Sequence, residues 1–328
     1  MLSFLYDGLC RFRRPRCRLN NIVMDLHTGI IMFSSHYTSH RLDTQIQAAA
    51  QFGQVFAPRD PQSHKGTHGT LAVIGGAAGM SGAVILAATA AIYNGCGKVW
   101  AGFNQPALPL PVIPERPEIM LSTAAALQLR NDITAWAIGC GMGLCHEALA
   151  LLYTQLTSAN RESPVLLDAD AVTLLSRHAD LAASARDYPT LVLTPHPAEA
   201  ARLLGVSTAE VQADRTAAVT QISSMFHAYT VLKGHHTLVC SPDGSLYTNL
   251  SGNAGLATAG SGDVLSGIIG SLLAQGIDTE QAVRGGVWLH GAAADVLKDS
   301  AIGEIGMLSG EIAPAARWLR NHIIEAQR

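Results

Sequence analysis

The sequence predicts an α/β fold in which a mostly parallel central sheet is covered by helices on both faces. Three observations carry that expectation. From about residue 41 onward, short apolar runs alternate with longer Ala-rich segments of helical character. The composition, 48% hydrophobic against 14% charged over 328 residues, supplies a large aliphatic core and little charged surface. Glycines and ionisable residues gather at the ends of the predicted strands, where open α/β sheets bind their ligands.

Taken in order, LDTQIQAAAQFG from Leu42 reads as a short amphipathic helix, and APRDPQSHKGTHG after it is a turn-rich loop. Then come the strand TLAVIGG, the helix SGAVILAATAAIYNG, the strand KVWAGF and a Pro-rich linker around Pro106 to Pro117. Later strands are AWAIGCG, VLLDAD, TLVLTPH and TVLKG. One domain over 41–328 accounts for this alternation; no fixed-period repeat or low-complexity tract calls for a second.

Residues 1–40 differ. Arg11, Arg13, Arg14, Arg16 and Arg18 follow a short apolar stretch rather than precede it, which argues against a signal peptide. An Arg-rich transit peptide is the second reading. The expectation adopted is an unstructured extension or an over-called start, with Met24 and Met32 as later initiators.

Composition also excludes whole classes of function. A formal net charge of -3 argues against a nucleic-acid partner. Apolar runs such as Val264 to Gln275 are broken before the roughly 20 residues of a membrane span. The six cysteines show no CxxC pair and no zinc spacing, so reduced thiols and a cytoplasmic location are expected.

The richest segment is NAGLATAGSGDVLSGIIGSLLAQG, residues 253–276. Gly260, Ser261 and Gly262 at the mouth of an apolar helix let backbone amides approach an anion, and the helix dipole adds to them. Asp263 in the first turn suits a base that takes a proton from a substrate hydroxyl while a phosphate rests on the amides; the bland alternative is an N-cap. GGAAGMSGA, residues 75–83, fits the dinucleotide fingerprint poorly, but its glycines bring backbone near a ligand and Ala83 adds no bulk. His196 stands between Pro195 and Pro197, where its ring is constrained enough to contact a ligand. Lys233, with Gly234, His235, His236 and Thr237, reads either as a nucleotide-phosphate site or as a hairpin turn with a solvated lysine. Asp168 and Asp170 either position magnesium through water or cap a helix starting near Ala171. No metal ligands are assigned from the sequence.

In this order SHKGTHG, GGAAGMSGA, IGCGMG, LLDADA, LTPHPAEAARLLG, VLKGHHT and NAGLATAGSGDVLSGIIGSLLAQG closely resemble the ADP-dependent NAD(P)H-hydrate dehydratases of the ribokinase-like superfamily, over about residues 55 to 325. The resemblance implies a three-layer ribokinase-like fold and a lyase that repairs hydrated NADH and NADPH. ADP would be co-substrate, with ATP as the alternative nucleotide, and Mg2+ the metal. Asp263 would be the base. Ala83, Gly141, His196 and Asp263 are implied contacts to the hydrated dinucleotide; Lys233 through Thr237 and Gly262 are implied contacts to the adenine nucleotide. A homotetramer is implied, as is a separate NAD(P)H-hydrate epimerase, because too few residues precede the pattern to hold that domain. Cys140 stands where the family usually has proline, and Ala198 where it usually has glycine. The rival readings are a ribokinase-like kinase of a small alcohol or vitamin precursor, and a catalytically silent nucleotide-binding protein.

Overall fold

The computed structural model describes residues 37–158 and 161–328, together with the backbone of three short strands earlier in the chain, β1 (Arg16–Leu19), β2 (Ile22–Asp25) and β3 (Ile31–Phe33). These pair antiparallel in the order β1-β2-β3, where the sequence suggested no strand. The remainder of the expected extension over 1–40, up to residue 36, lies outside the described residues.

The main sheet comprises β4 (Thr70–Gly75), β5 (Lys98–Phe103), β6 (Met120–Thr123), β7 (Ala135–Ile138), β8 (Val165–Leu167), β9 (Leu191–Leu193), β10 (Tyr229–Leu232), β11 (Leu238–Cys240) and β12 (Leu246–Thr248). Its order is β12-β11-β10-β9-β8-β7-β4-β5-β6. All neighbours run parallel except β10 with β11 and β11 with β12, a meander that closes one edge. The chain leaves β4 toward β5 and β6, then crosses back to β7 and proceeds the other way. β4 and β7 therefore flank the topological switch point, where a crevice opens beyond the strand ends.

Twelve α-helices among the described residues cover the sheet: α1 (Leu42–Ala49), α2 (Ser81–Tyr93), α3 (Ala124–Leu127), α4 (His146–Thr157), α5 (Ala169–Arg177), α6 (Ala179–Arg186), α7 (Pro197–Leu204), α8 (Thr208–Ala213), α9 (Arg215–Phe226), α10 (Ser261–Ala274), α11 (Thr279–Asp299) and α12 (Ser309–Ala326). Alternation along the strands divides the core in two. Leu71 and Val73 of β4 pack with α2, α10, α11 and α12, whereas Ala72 and Ile74 pack with α4 to α9. The three-layer architecture expected from the resemblance is the one observed.

Helix α10 is buried continuously from Val264 to Ala274, which explains its apolar sequence all round. Each fully buried aliphatic side chain there stabilises the fold by ~1.5–3 kcal/mol. α10 crosses α2 so closely that a Cβ on Gly267 would lie 2.1 Å from the Ala87 carbonyl oxygen. That contact holds the middle of α10 against α2. Among the described residues, no helix is long and apolar enough to cross a membrane.

Candidate active site

The polar strand ends meet at the switch point because glycines let them. A Cβ on Gly75 would stand 2.0 Å from the Cys140 oxygen, and one on Gly139 1.9 Å from the Asp168 oxygen. β4, β7 and β8 are thereby drawn together at their C-terminal ends. Gly141 is left-handed at φ 58, and a Cβ on it would meet Met80 Cβ at 2.9 Å and Ala83 Cβ at 3.1 Å. The two small residues expected to touch a dinucleotide, Ala83 and Gly141, are thus neighbours.

Gly260, not Asp263, occupies the N-cap of α10, with φ 89. Asp263 lies in the first turn and makes no capping bond, so the bland reading of it as a cap does not hold. Burial pushes the Asp263 carboxyl up to about 6; the negative charge of Asp168 adds to the shift, and a hydrogen bond from the Cys140 thiol opposes it. The loop that delivers α10 is pinned from several sides. Ser261 Oγ donates to the Leu256 carbonyl at 2.8 Å, and Ser309 Oγ to the Ala259 carbonyl at 2.6 Å. Asp295 accepts from the Gly252 amide at 3.0 Å and from Asn253 Nδ2 at 3.1 Å.

Asp168 stands at the N-cap of α5, which starts at Ala169, but its side chain makes no capping bond. Its two oxygens accept instead from Lys233 Nζ at 2.6 Å and from Ser266 Oγ at 2.8 Å. Burial works to lower the Lys233 pKa, but Asp168 and Glu199 outweigh it and hold the ammonium above its usual value. The β10–β11 connection is indeed a hairpin, yet its lysine is paired rather than solvated. Asp170 is spent elsewhere, accepting from the Gly143 amide at 2.8 Å.

His196 caps α7. Its Nδ1 accepts from the amides of Ala198 and Glu199 at 3.1 and 3.3 Å, and Nε2 lies 3.2 Å from Glu199 Oε1. Burial, with Lys233 adding, lowers its pKa, so the ring is neutral with Nε2 protonated. Glu199 is itself pushed up by burial. The flanking prolines therefore serve a defined capping geometry, which holds one ring edge at the site.

A cleft of about 430 Å³ opens beside the N-terminus of α10. Lys233, Gly234, His235, His236, Thr237, Ser261 and Gly262 all line it, so the residues expected to hold a nucleotide share one cavity. Ala83, Gly141, His196 and Asp263 are not among its lining residues. Asp263 adjoins it through Gly262, whose added Cβ would stand 3.5 Å from Lys233 Nζ.

Sequence reasoning misses several parts of this site. Glu199 and Ser266 are called for only by the Asp168–Lys233 ion pair, and Asn249 and Asn253 only by the cleft wall. His290 also lines the cleft, with its Nε2 3.0 Å from the Ser261 carbonyl, and burial lowers its pKa to about 4. Its one sequence signal is an imidazole within the otherwise apolar run 285–294 of α11.

Cys140, Asp168 and Asp263 each turn one ligand atom into a common space, all within 4.8 Å of one another. This set does not fit a magnesium ion held by the protein alone, since magnesium takes hard oxygen ligands in near-octahedral geometry. Burial raises the Cys140 thiol well above its ordinary value and keeps it protonated, and both Asp168 oxygens are occupied. One carboxylate remains. Among the described cysteines, Cys96, Cys140 and Cys240 are buried and Cys145 is exposed, all as free thiols.

Comparison with known proteins agrees with the observed fold. The profile of the NAD(P)H-hydrate dehydratase family matches residues 71–315. The ADP-dependent (S)-NAD(P)H-hydrate dehydratase of Neisseria meningitidis is 60% identical over 291 residues, which is 89% of this chain and 98% of that protein. The bifunctional NAD(P)H-hydrate repair enzyme of Coxiella burnetii is 39% identical over 267 residues, 80% of this chain but 52% of its own length. The ADP/ATP-dependent NAD(P)H-hydrate dehydratase of Bacillus subtilis, co-crystallised with ATP and Mg2+, superposes with a TM-score of 0.72 at 32% identity, covering 83% of this chain and 97% of that one. The chain belongs to the NAD(P)H-hydrate dehydratase family.

Proposed function

We propose that the chain is an ADP-dependent lyase that dehydrates the S epimer of hydrated NADH and NADPH. The observation that carries the reading is Asp263, a half-buried carboxylate with its pKa raised to about 6, set in the first turn of α10 beside a cleft lined by Lys233 to Thr237 and Gly262. Such a group is ionised at neutral pH and basic enough to accept a hydroxyl proton.

Asp263 takes the proton of the ring hydroxyl, whose oxygen attacks the β-phosphorus of ADP. The bond from that phosphorus to the bridging oxygen breaks, and AMP leaves. The Gly260 to Gly262 amides, at the positive end of α10, stabilise charge on the transferring phosphoryl group. The ring nitrogen then expels phosphate with the C–O bond electrons, and the adjacent ring carbon loses a proton to restore the reduced nicotinamide. The elements of water end in inorganic phosphate.

In this reading Ala83, Gly141 and His196 contact the hydrated dinucleotide, and Lys233, Gly234, His235, His236 and Thr237 contact the nucleotide. Lys233 is held by Asp168 at the boundary between the two. Magnesium belongs to the proposal only as the counter-ion that the nucleotide brings. Residues 41–328 form the catalytic domain, and a cytoplasmic homotetramer with a functional link to an NAD(P)H-hydrate epimerase completes the proposal.

The test is the near-ultraviolet absorbance of reduced nicotinamide on mixing protein, magnesium, ADP and hydrated NADH. A rise with equimolar AMP and phosphate is expected. A stable phosphorylated product, or no turnover, would refute the lyase; the former would point to a small-alcohol kinase.

A further inference from the structure

Helix α9 begins at Arg215, a half-buried residue that no sequence motif singles out. Its guanidinium reaches the turn between β10 and β11. Nη1 donates to the His235 carbonyl, and Nη2 donates to the Leu232 carbonyl at 3.1 Å and the Lys233 carbonyl at 3.4 Å. The intervening Gly234 carbonyl accepts from Thr237 Oγ1 at 3.0 Å. Four successive carbonyls, Leu232 to His235, are thus tied off.

The turn itself is strained. Gly234 sits at φ 142 and His236 at φ 53, the left-handed region that a histidine rarely adopts. A Cβ on Gly234 would stand 3.1 Å from Arg215 Nη2, so glycine here makes room for the guanidinium. Among the described residues the amides of Gly234, His235 and His236 have no hydrogen-bond partner, although these residues line the cleft, while the Thr237 amide closes the turn back toward Gly234. Consecutive unpaired amides with their carbonyls turned away form an anion-binding concavity. Among the described residues no carboxylate pairs with Arg215 either, and its Nε is buried without a partner. Among the described residues its positive charge is met by the Leu232, Lys233 and His235 carbonyls alone.

We propose that Arg215 is the positioning residue of the nucleotide site. It draws the carbonyls of the β10–β11 turn to one side and leaves the amides of Gly234 to His236 free for the phosphates of a nucleoside diphosphate. This rests on the functional reading above. Arg215 acts through the turn, so its removal strikes nucleotide binding and spares the hydrated dinucleotide. Lysine is no substitute, because one ammonium on a flexible stem does not bridge three carbonyls.

The test titrates ADP into the full chain by calorimetry for wild type, Arg215→Lys and Arg215→Met, with turnover measured in parallel. Losing charge-assisted bonds that order the turn should weaken ADP binding about 10- to 100-fold in both variants. KM for ADP should rise alike, while KM for hydrated NADH and kcat at saturating ADP stay unchanged. ADP affinity equal to wild type overturns the proposal, as does an equal loss on both substrates, which marks a merely structural residue. Should the variants fail to fold, hydrogen exchange of the wild type decides: the Gly234 to His236 amides should exchange fast in the free chain and slow with ADP, and no slowing overturns it. A wild type that binds no ADP removes the functional reading itself, whereas intact wild-type binding with unaffected variants removes the clamp alone.

Discussion

Replacing Asp263 with asparagine should make the protein more stable and inactive, and the gain should depend on pH in a defined direction. The Asp263 carboxyl has its pKa raised from 3.8 to about 6 in the folded chain. The fold therefore holds that proton more tightly than the unfolded chain does. Between pH 3.8 and about 6 the folded state binds the extra proton, so stability falls as pH rises through this window and is level above it. A shift of this size corresponds to about 3 kcal/mol for ionising the buried group. An asparagine amide never ionises. Asp263→Asn should thus match wild type near pH 4 and exceed it by up to about 3 kcal/mol above pH 7, less the hydrogen bond from the Cys140 thiol. Thermal unfolding of both proteins across this range measures the gap. Turnover at pH 7.5 should fall by about 10²–10⁴-fold, the usual contribution of a general base, and the wild-type rate should decline as pH falls through about 6. A stability gap that is absent, or that widens toward acid, would refute the claim that a desolvated carboxylate sits at the head of α10.

Three further changes probe the surrounding frame. Lys233→Met leaves the buried Asp168 without its 2.6 Å partner and should cost about 3 kcal/mol in denaturant unfolding near neutral pH; a loss well below this would mean that Asp168 finds another partner. Gly260→Ala forces a side chain onto φ 89 and puts a Cβ 2.5 Å from Leu86 Cδ1, for a loss of about 1–3 kcal/mol. Adding Leu86→Ala should relieve the steric part of that loss in a double-mutant cycle, because the obstacle is a side-chain tip. His196→Ala removes the acceptor that caps α7 and should cost about 1 kcal/mol, while His196→Asn keeps a capping oxygen and should cost little. Equal losses from the two substitutions would show that Nδ1 is not the cap.

Much of the site is legible in the sequence because its signals are local. TLAVIGG, AWAIGCG and VLLDAD each announce a strand and the residue that ends it, and AGSGD announces a helix mouth. The cleft-lining set Lys233 to Thr237 with Gly262 comes from adjacent residues at two such ends. Asp168 and Asp170 mislead because adjacency does not show their partners, which lie in the β10–β11 connection, in α10 and after β7. The edge strands β6 and β12, with β11 beside β12, escape notice for a related reason. They are 3 or 4 residues long, too short for a period to emerge.

By itself, then, the sequence determined the alternation of strand and helix, the division of apolar residues between two core faces, and the chemical inventory at each strand end, since all of these depend on spacing within a few residues. Only the tertiary structure decided that β4 lies between β5 and β7, that Lys233 finds Asp168 across 65 residues, and that Arg215 reaches back to a turn beyond its own helix. Parallel strands are joined by crossovers that leave their lateral order open. Which ends become neighbours is settled by how the two helical layers bury their apolar faces on the sheet.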